Sequence, residues 1–163
     1  QLPIYYNHFN TGRPAPNETA FNYVSAYTDL KNSPKFAFGH GLSYTTFDYS
    51  DLKLSKNKIK DSETIEVAFN LTNSGKFEGH EVVQLYLRDK VGSVVRPIIE
   101  LKDFQKIHLN AGETKTIQFT IDKEKLAFYN EKLEWNTEAG DFDLMIGTSS
   151  SDIRLKTTFE LVK

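Results

Sequence analysis

The sequence predicts an all-β fold, two antiparallel sheets packed face to face, and three observations lead there. Short segments in which apolar and polar residues alternate recur from about residue 46 onward. Turn-forming residues separate them at roughly 8–12-residue intervals, the spacing of a sandwich. The composition includes 12 Phe and 8 Tyr, rings that suit a pleated, half-buried surface, and no long stretch concentrates strong helix formers.

The elements follow in order. Phe47, Tyr49, Leu52 and Leu54 form a strand with a bulge or kink between the two pairs, where the alternation slips. Ile65, Val67, Phe69 and Leu71 alternate with Glu66, Ala68 and Asn70, a half-buried strand ending in the Asn73-Ser74-Gly75 turn. Val83, Leu85 and Leu87 alternate with Gln84, Tyr86 and Arg88. Ile99 with Leu101, and Ile107 with Leu109, predict a pair of short strands around Phe104, closed at Asn110-Ala111-Gly112. Ile117, Phe119 and Ile121 make the next strand, after which Asp122 is placed to cap a single helical turn. Phe142, Leu144 and Ile146, then Ile153, Leu155, Thr157, Phe159 and Leu161, complete seven or eight strands. Two sheets about 10 Å apart would bury one face of each, giving an immunoglobulin-like or fibronectin-III-like sandwich. Tyr129 fits either a tyrosine corner, its hydroxyl bonding back to the backbone, or an ordinary half-buried ring.

Residues 1–45 read differently. They hold four of the five prolines, with turn chemistry at Thr11-Gly12-Arg13-Pro14 and Asn32-Ser33-Pro34. Only Leu2 to Tyr6 has the character of a short strand. So long an irregular stretch is unusual inside a compact domain, and it is expected to be an arm lying on something else. The division is therefore 1–45, an arm, and 46–163, the sandwich. The opening Gln1-Leu2-Pro3-Ile4 has neither an initiator Met nor a basic-then-apolar signal pattern, and reads as the middle of a longer polypeptide.

Several functions are disfavoured. A net charge of −2 argues against nucleic acid as a partner. Lys53, Lys56, Lys58 and Lys60 read as a solvated edge strand and turn, where Lys blocks edge pairing. No stretch nears the ~20 apolar residues of a membrane span, and the absence of Cys excludes disulfides and thiolate metal sites. His8, His40, His80 and His108 are never three to five residues apart, so neither metal nor other cofactor is expected. Glu63/Glu66, Glu78/Glu81 and Glu138/Asp141/Asp143 are read as solvated surface groups. No nucleophile elbow occurs, and Gly39-His40-Gly41 is too glycine-poor for a phosphate loop. Asn17-Glu18-Thr19 and Asn70-Leu71-Thr72 match the glycosylation sequon, the second within a strand.

Phe36-Ala37-Phe38-Gly39-His40-Gly41-Leu42-Ser43-Tyr44-Thr45-Thr46-Phe47 resembles a junction of family 3 glycoside hydrolases of the β-glucosidase and β-xylosidase type. The resemblance continues through Gly79-His80-Glu81-Val82-Val83-Gln84-Leu85-Tyr86, Arg96-Pro97, Glu100-Leu101-Lys102-Asp103-Phe104-Gln105-Lys106 and Ala111-Gly112-Glu113-Thr114. It ends in Glu138-Ala139-Gly140-Asp141-Phe142 and Ile146-Gly147-Thr148-Ser149-Ser150. Leu2-Pro3-Ile4-Tyr5-Tyr6-Asn7-His8 and Thr11-Gly12-Arg13-Pro14 look like the end of the family's α/β sandwich domain. The resemblance implies a fibronectin-III-like domain from about residue 46, joined to upstream catalytic domains that remove terminal β-linked sugars with retention. It also implies a periplasmic or secreted location. Ser50-Asp51-Leu52 is similar to the family's nucleophile motif, but lacks its Trp and lies in the first strand. No catalytic residue carries over, and the chain by itself is expected to be inactive.

The junction then acquires a role. Gly39 and Gly41 allow conformations or close approaches that a β-carbon forbids. Phe36, Phe38, Leu42 and Tyr44, with His40 among them, would dock against a neighbouring domain or border the parent's sugar pocket. A structural, assembly-stabilising domain is one reading. A carbohydrate-binding module targeting the parent to polysaccharide is the other, and would need exposed rings, for which Phe77, Tyr86, Tyr129 and Trp135 are the candidates. Trp135, the one Trp, is expected to be buried.

Overall fold

In the computed structural model, which describes residues 4–17, 20 and 22–163, the alternating segments are strands, joined by three short ones the alternation did not announce. The order is β1 (Phe47–Leu54), β2 (Lys58–Lys60), β3 (Ile65–Asn73), β4 (Gly79–Asp89), β5 (Glu100–Leu109), β6 (Thr114–Ile121), α1 (Lys123–Leu126), β7 (Phe128–Tyr129), β8 (Trp135–Asn136), β9 (Gly140–Ser149) and β10 (Asp152–Val162). One sheet runs β1-β3-β6, the other β2-β10-β9-β4-β5, and β7 pairs with β8 alone. The pairing is antiparallel except between β10 and β2, which run parallel. The lysine run behaves as expected: Lys53 lies on an edge strand of one sheet, Lys58 and Lys60 on an edge strand of the other.

The core fills the space between the sheets. Val67, Phe69 and Leu71 of β3 meet Val83, Leu85 and Leu87 of β4 and Phe142, Leu144 and Ile146 of β9, all essentially without solvent contact. Each such side chain contributes about 1.5–3 kcal/mol on burial. Asp122 caps α1 as expected, its carboxylate accepting from the Lys125 N–H at 3.0 Å.

Half of the alternation proved incomplete. Along β4 and β9 both faces are buried, because a second apolar cluster of Tyr86, Ile99 and Met145 forms outside the sandwich, with Tyr6, Ile98, Leu101 and Ile153 packed on it. Two bulges make that possible. Leu85 pairs with Asp103 but Tyr86 with Leu101, so Lys102 is an extra residue in β5. Ile107 therefore faces the main core while Leu101, which shares its odd phase, turns to the outer cluster. β5 is one continuous strand rather than the predicted pair. It connects across to the other sheet through Asn110–Glu113, with Gly112 at φ 75°. In β10, Ile153 pairs with Gly147 and Leu155 with Ile146, so Arg154 is the extra residue and Ile153 flips outward in the same way. The bulge expected in β1 falls between Ser50 and Lys53, with Asp51 at φ 57°.

The arm is not a strand at its start. Ile4 to Tyr6 form no β-structure, and His8 N–H closes a turn onto the Tyr5 carbonyl at 3.2 Å; Leu2 and Pro3 lie outside the described residues, as do Glu18 and Thr19 of the first sequon. Part of the arm lies on its own sandwich. Phe9 bridges to Pro97, Ile98 N–H donates to the His8 carbonyl at 3.0 Å, and Ser150 N–H to the Phe38 carbonyl at 2.9 Å. Asn70 of the second sequon sits inside β3, donating to Asp51 at 2.9 Å and accepting from Thr116 at 2.9 Å.

Candidate functional site

The arm is fastened to the outer face of β4 by one buried amide. Gln84 has an even-numbered position, so it points away from the main core, yet it is buried. Its Nε2 donates to the Gly39 carbonyl at 3.1 Å and to the Thr148 carbonyl at 2.6 Å, and its Oε1 accepts from the Tyr86 hydroxyl at 2.5 Å. Both amide protons are thus used, as a buried carboxamide requires. Gly39 sits at φ 79°, and a β-carbon there would overlap the Gln84 carboxamide. Gly41 needs no such explanation: its backbone is ordinary and nothing lies within 4 Å of where a β-carbon would be. Phe38 stacks on Tyr6 at 4.0 Å between ring centroids, and Tyr6 meets the edge of Tyr86 at 6.2 Å.

A second tether follows six residues later in sequence. Thr45 Oγ1 donates to Asn73 Oδ1 at 2.7 Å, and Ser74 N–H to the Thr46 carbonyl at 2.9 Å. Between the tethers the loop stands out from the body, with Leu42 94% and Tyr44 99% exposed. Phe36 is also exposed and lies against the exposed His40 ring at 5.4 Å. Of the junction candidates, then, Phe38 and Gly39 hold the arm in place, while Phe36, His40, Leu42 and Tyr44 are presented outward.

Beneath the loop is an open cleft of about 710 Å³, walled by Asp48, His80, Glu81, Asp152 and Arg154. The Tyr49 hydroxyl donates to Glu81 Oε1 at 2.8 Å, linking the two sheets. Burial pushes the Glu81 carboxyl above its ordinary range, the Tyr49 hydrogen bond opposing only in part. Burial and the neighbouring Glu81 push Tyr49 up strongly. Asp152 is engaged by Arg154 at 2.8 Å, and that bond pulls its carboxyl down. Four of the acidic groups expected at the solvated surface are at least half-buried, Glu63 and Glu138 among them. Glu81 is half-buried, and Asp143 is buried between Lys90 at 3.5 Å and Lys156 at 3.3 Å, because the outer face of β9 is covered. Asp51, in the nucleophile-like tripeptide, is an exposed bulge residue whose carboxyl is lowered by hydrogen bonds from Ser50 and Asn70. Among the described residues no three of His, Asp and Glu gather as a metal-binding group.

The ring candidates separate clearly. Tyr86 is 0% exposed, so it offers no face to a ligand; the outer cluster that buries it arises from the bulges, which alternation does not reveal. Phe77 is exposed but solitary. Tyr129 and Trp135 face each other across β7 and β8, ring centroids 5.1 Å apart, 63% and 49% exposed. Tyr129 is thus a surface ring and not a tyrosine corner, and Trp135 is not buried. Sequence reasoning missed Gln84 as a fastening residue, although a lone Gln in Val82-Val83-Gln84-Leu85-Tyr86-Leu87 was a signal. It also missed the cross-strand pair His80 and His108, rings 4.8 Å apart, which register alone creates.

Comparison with known proteins places this geometry in context. Residues 81–150 match the family described as fibronectin type III-like domain. The chain is 43% identical over 162 residues to the periplasmic β-glucosidase of Salmonella typhimurium, covering 99% of this chain and 21% of that protein. It is 49% identical over 132 residues to thermostable β-glucosidase B of Acetivibrio thermocellus, covering 80% of this chain and 18% of that one. It superposes on the crystal structure of the β-glucosidase from Listeria innocua in complex with isofagomine at a TM-score of 0.90 and 39% identity, covering 98% of this chain and 22% of that one. The chain thus spans about a fifth of the length of the relatives it matches.

Proposed function

The chain belongs to the fibronectin type III-like C-terminal region of the family 3 glycoside hydrolases, and from that premise we propose that it docks onto and stabilises the catalytic domains of a β-glucosidase-type enzyme. The observation that carries the reading is the loop from Gly39 to Tyr44, tethered at both ends with Leu42 and Tyr44 almost wholly in solvent. Apolar side chains standing in water gain about 25 cal/mol per Å² when a partner covers them, and a loop tethered at both ends loses less backbone entropy on docking. Residues 1–45 are then the tail of the preceding α/β sandwich domain and its linker, with the upstream catalytic domains as the partner. Hydrolysis of O-glycosyl bonds in carbohydrate metabolism belongs to that parent, through carboxylates upstream of this chain. The compartment we infer is the periplasm or the exterior, from the name of the Salmonella relative. Among the described residues no helix is long and apolar enough to cross a membrane.

The test is a chimera in which this chain replaces the matching region of the Listeria innocua enzyme. The chimera should hydrolyse nitrophenyl β-glucoside, the enzyme lacking the region should be inactive or far less heat-stable, and Leu42→Ser with Tyr44→Ser should lower the chimera's Tm. A raised KM at unchanged Tm would put the loop at the sugar pocket instead. Equal Tm and activity with and without the region, or hydrolysis by this chain alone, would overturn the reading.

A further inference from the structure

The β7–β8 hairpin carries surface that neither core uses. Tyr129 and Trp135 are directly paired across its two strands and belong to neither apolar cluster. Their rings meet at 59° between planes, forming a corner with two apolar walls rather than a flat stack. The corner is held by its neighbours. Trp135 Nε1–H donates to Glu124 of α1 at 3.0 Å, and Phe128, the neighbour of Tyr129, is buried beneath the Arg96 guanidinium at 3.8 Å. Asn130 Oδ1 accepts from the N–H groups of Lys132 at 2.9 Å and Glu134 at 3.1 Å, holding the turn. At the tip Leu133 is exposed and sits at φ 61°, a conformation that costs a branched residue of this kind about 1–2 kcal/mol. Backbone strain of this sort concentrates at functional sites.

We propose that this corner binds a neutral oligosaccharide. Equatorially substituted pyranose rings present a face of axial C–H bonds that packs on an aromatic plane, and hydroxyls at their rim that need acceptors and donors. The corner supplies both: two exposed ring faces and, at the edge of Trp135, the Glu124 carboxylate that accepts the indole N–H at 3.0 Å. That carboxylate disfavours phosphorylated or acidic sugars, so the ligand is uncharged. The site lies away from the Gly39 loop. That loop is tied to Ser150 and Thr148, beside the start of β10. The hairpin is tied to Asp61 through Thr137 at 2.5 Å, just after Lys60, which pairs with Val162 at the end of β10. The corner and the loop thus lie at opposite ends of β10, and the proposal does not rest on the docking reading.

Because Trp135 is the only Trp, intrinsic fluorescence of the whole chain reports on this corner. Titration with cellopentaose, laminaripentaose and xylopentaose to millimolar concentration should give a saturable change with at least one of them. Tyr129→Ala should weaken that binding roughly tenfold or more, with far-UV circular dichroism unchanged. Should that variant not fold, intermolecular NOEs from the Trp135 indole protons of the unaltered chain to the same pentasaccharide supply the second readout. Fluorescence unmoved by all three sugars overturns the proposal, as does equal affinity in Tyr129→Ala or an absence of NOEs from Trp135. A spectral shift that follows protein concentration without sugar overturns it in favour of a second copy covering the rings.

Discussion

The Gly39 carbonyl accepts a 3.1 Å hydrogen bond from the Gln84 carboxamide, and the volume a β-carbon of residue 39 would need is the volume that carboxamide fills. Arm and sheet are therefore interlocked: the glycine permits the approach, and the glutamine is satisfied by it. Gly39→Ala should break the lock, through about 1–2 kcal/mol of left-handed backbone strain and the steric overlap. The amide of Ser150, bound to the Phe38 carbonyl, should then exchange with deuterium roughly tenfold faster or more, while core amides such as that of Phe69 change little. Equal exchange at Ser150 would show that the arm is held by Tyr6 and Phe38 instead.

Gln84→Leu tests the same lock from the other side. It leaves the Gly39 and Thr148 carbonyls and the Tyr86 hydroxyl without their partner. Unsatisfied buried polar groups cost about 1–3 kcal/mol each. A loss of that order or greater in urea unfolding is expected, against little change for Gln105→Leu on the neighbouring strand, whose amide bonds at the exposed surface.

Glu81 makes stability depend on pH. Burial raises its carboxyl pKa in the fold, so the native state holds that proton more tightly than the unfolded chain does. The resulting stabilisation is complete below the ordinary carboxylate value, near pH ~4.3, and is lost as pH climbs through the raised folded value. Glu81→Gln keeps an oxygen for the Tyr49 hydroxyl and removes the charge. It should be at least as stable as the unaltered chain at pH 7 and lose that advantage towards pH 4, as read by urea unfolding at both. A variant relatively weaker at pH 7 than at pH 4 would contradict this.

The bulge at Lys102 sets which face Leu101 covers. Deleting Lys102 should swing Leu101 and Ile99 away from Tyr86 and Met145, at about 2–5 kcal/mol, the range for losing a buried Leu. Lys102→Ala keeps the residue count and removes the contact to Glu100 at 3.3 Å together with the packing of a side chain only 15% exposed, so it should cost about 1 kcal/mol, less than the deletion. Comparable losses in the two variants would mean the bulge is not what positions Leu101.

The readable and unreadable parts of this molecule divide by the range of the interaction. Ile65-Glu66-Val67-Ala68-Phe69 announces a strand and its buried face, because side chains alternate across any strand whatever it pairs with. Asp122 announces a helix start because a cap is satisfied within three residues.

Tyr86 shows where this reasoning ends. Alternation puts it opposite Leu85 and Leu87 and so predicts that it faces solvent; it does face away from the main core, but into a second cluster. That cluster exists because two bulges turn Leu101 and Ile153 outward and because the arm brings Tyr6 back across the sheet. The same holds for Gln84, for His80 against His108, and for the Tyr129–Trp135 corner. What the chain's own pattern determined was which segments become strands and which face of most of them meets the main core. Tertiary structure alone decided register, the covering of the outer face and the partners of its polar groups. A period of two is a property of the backbone of each strand, whereas register and coverage depend on residues far apart in sequence, whose meeting no local pattern records.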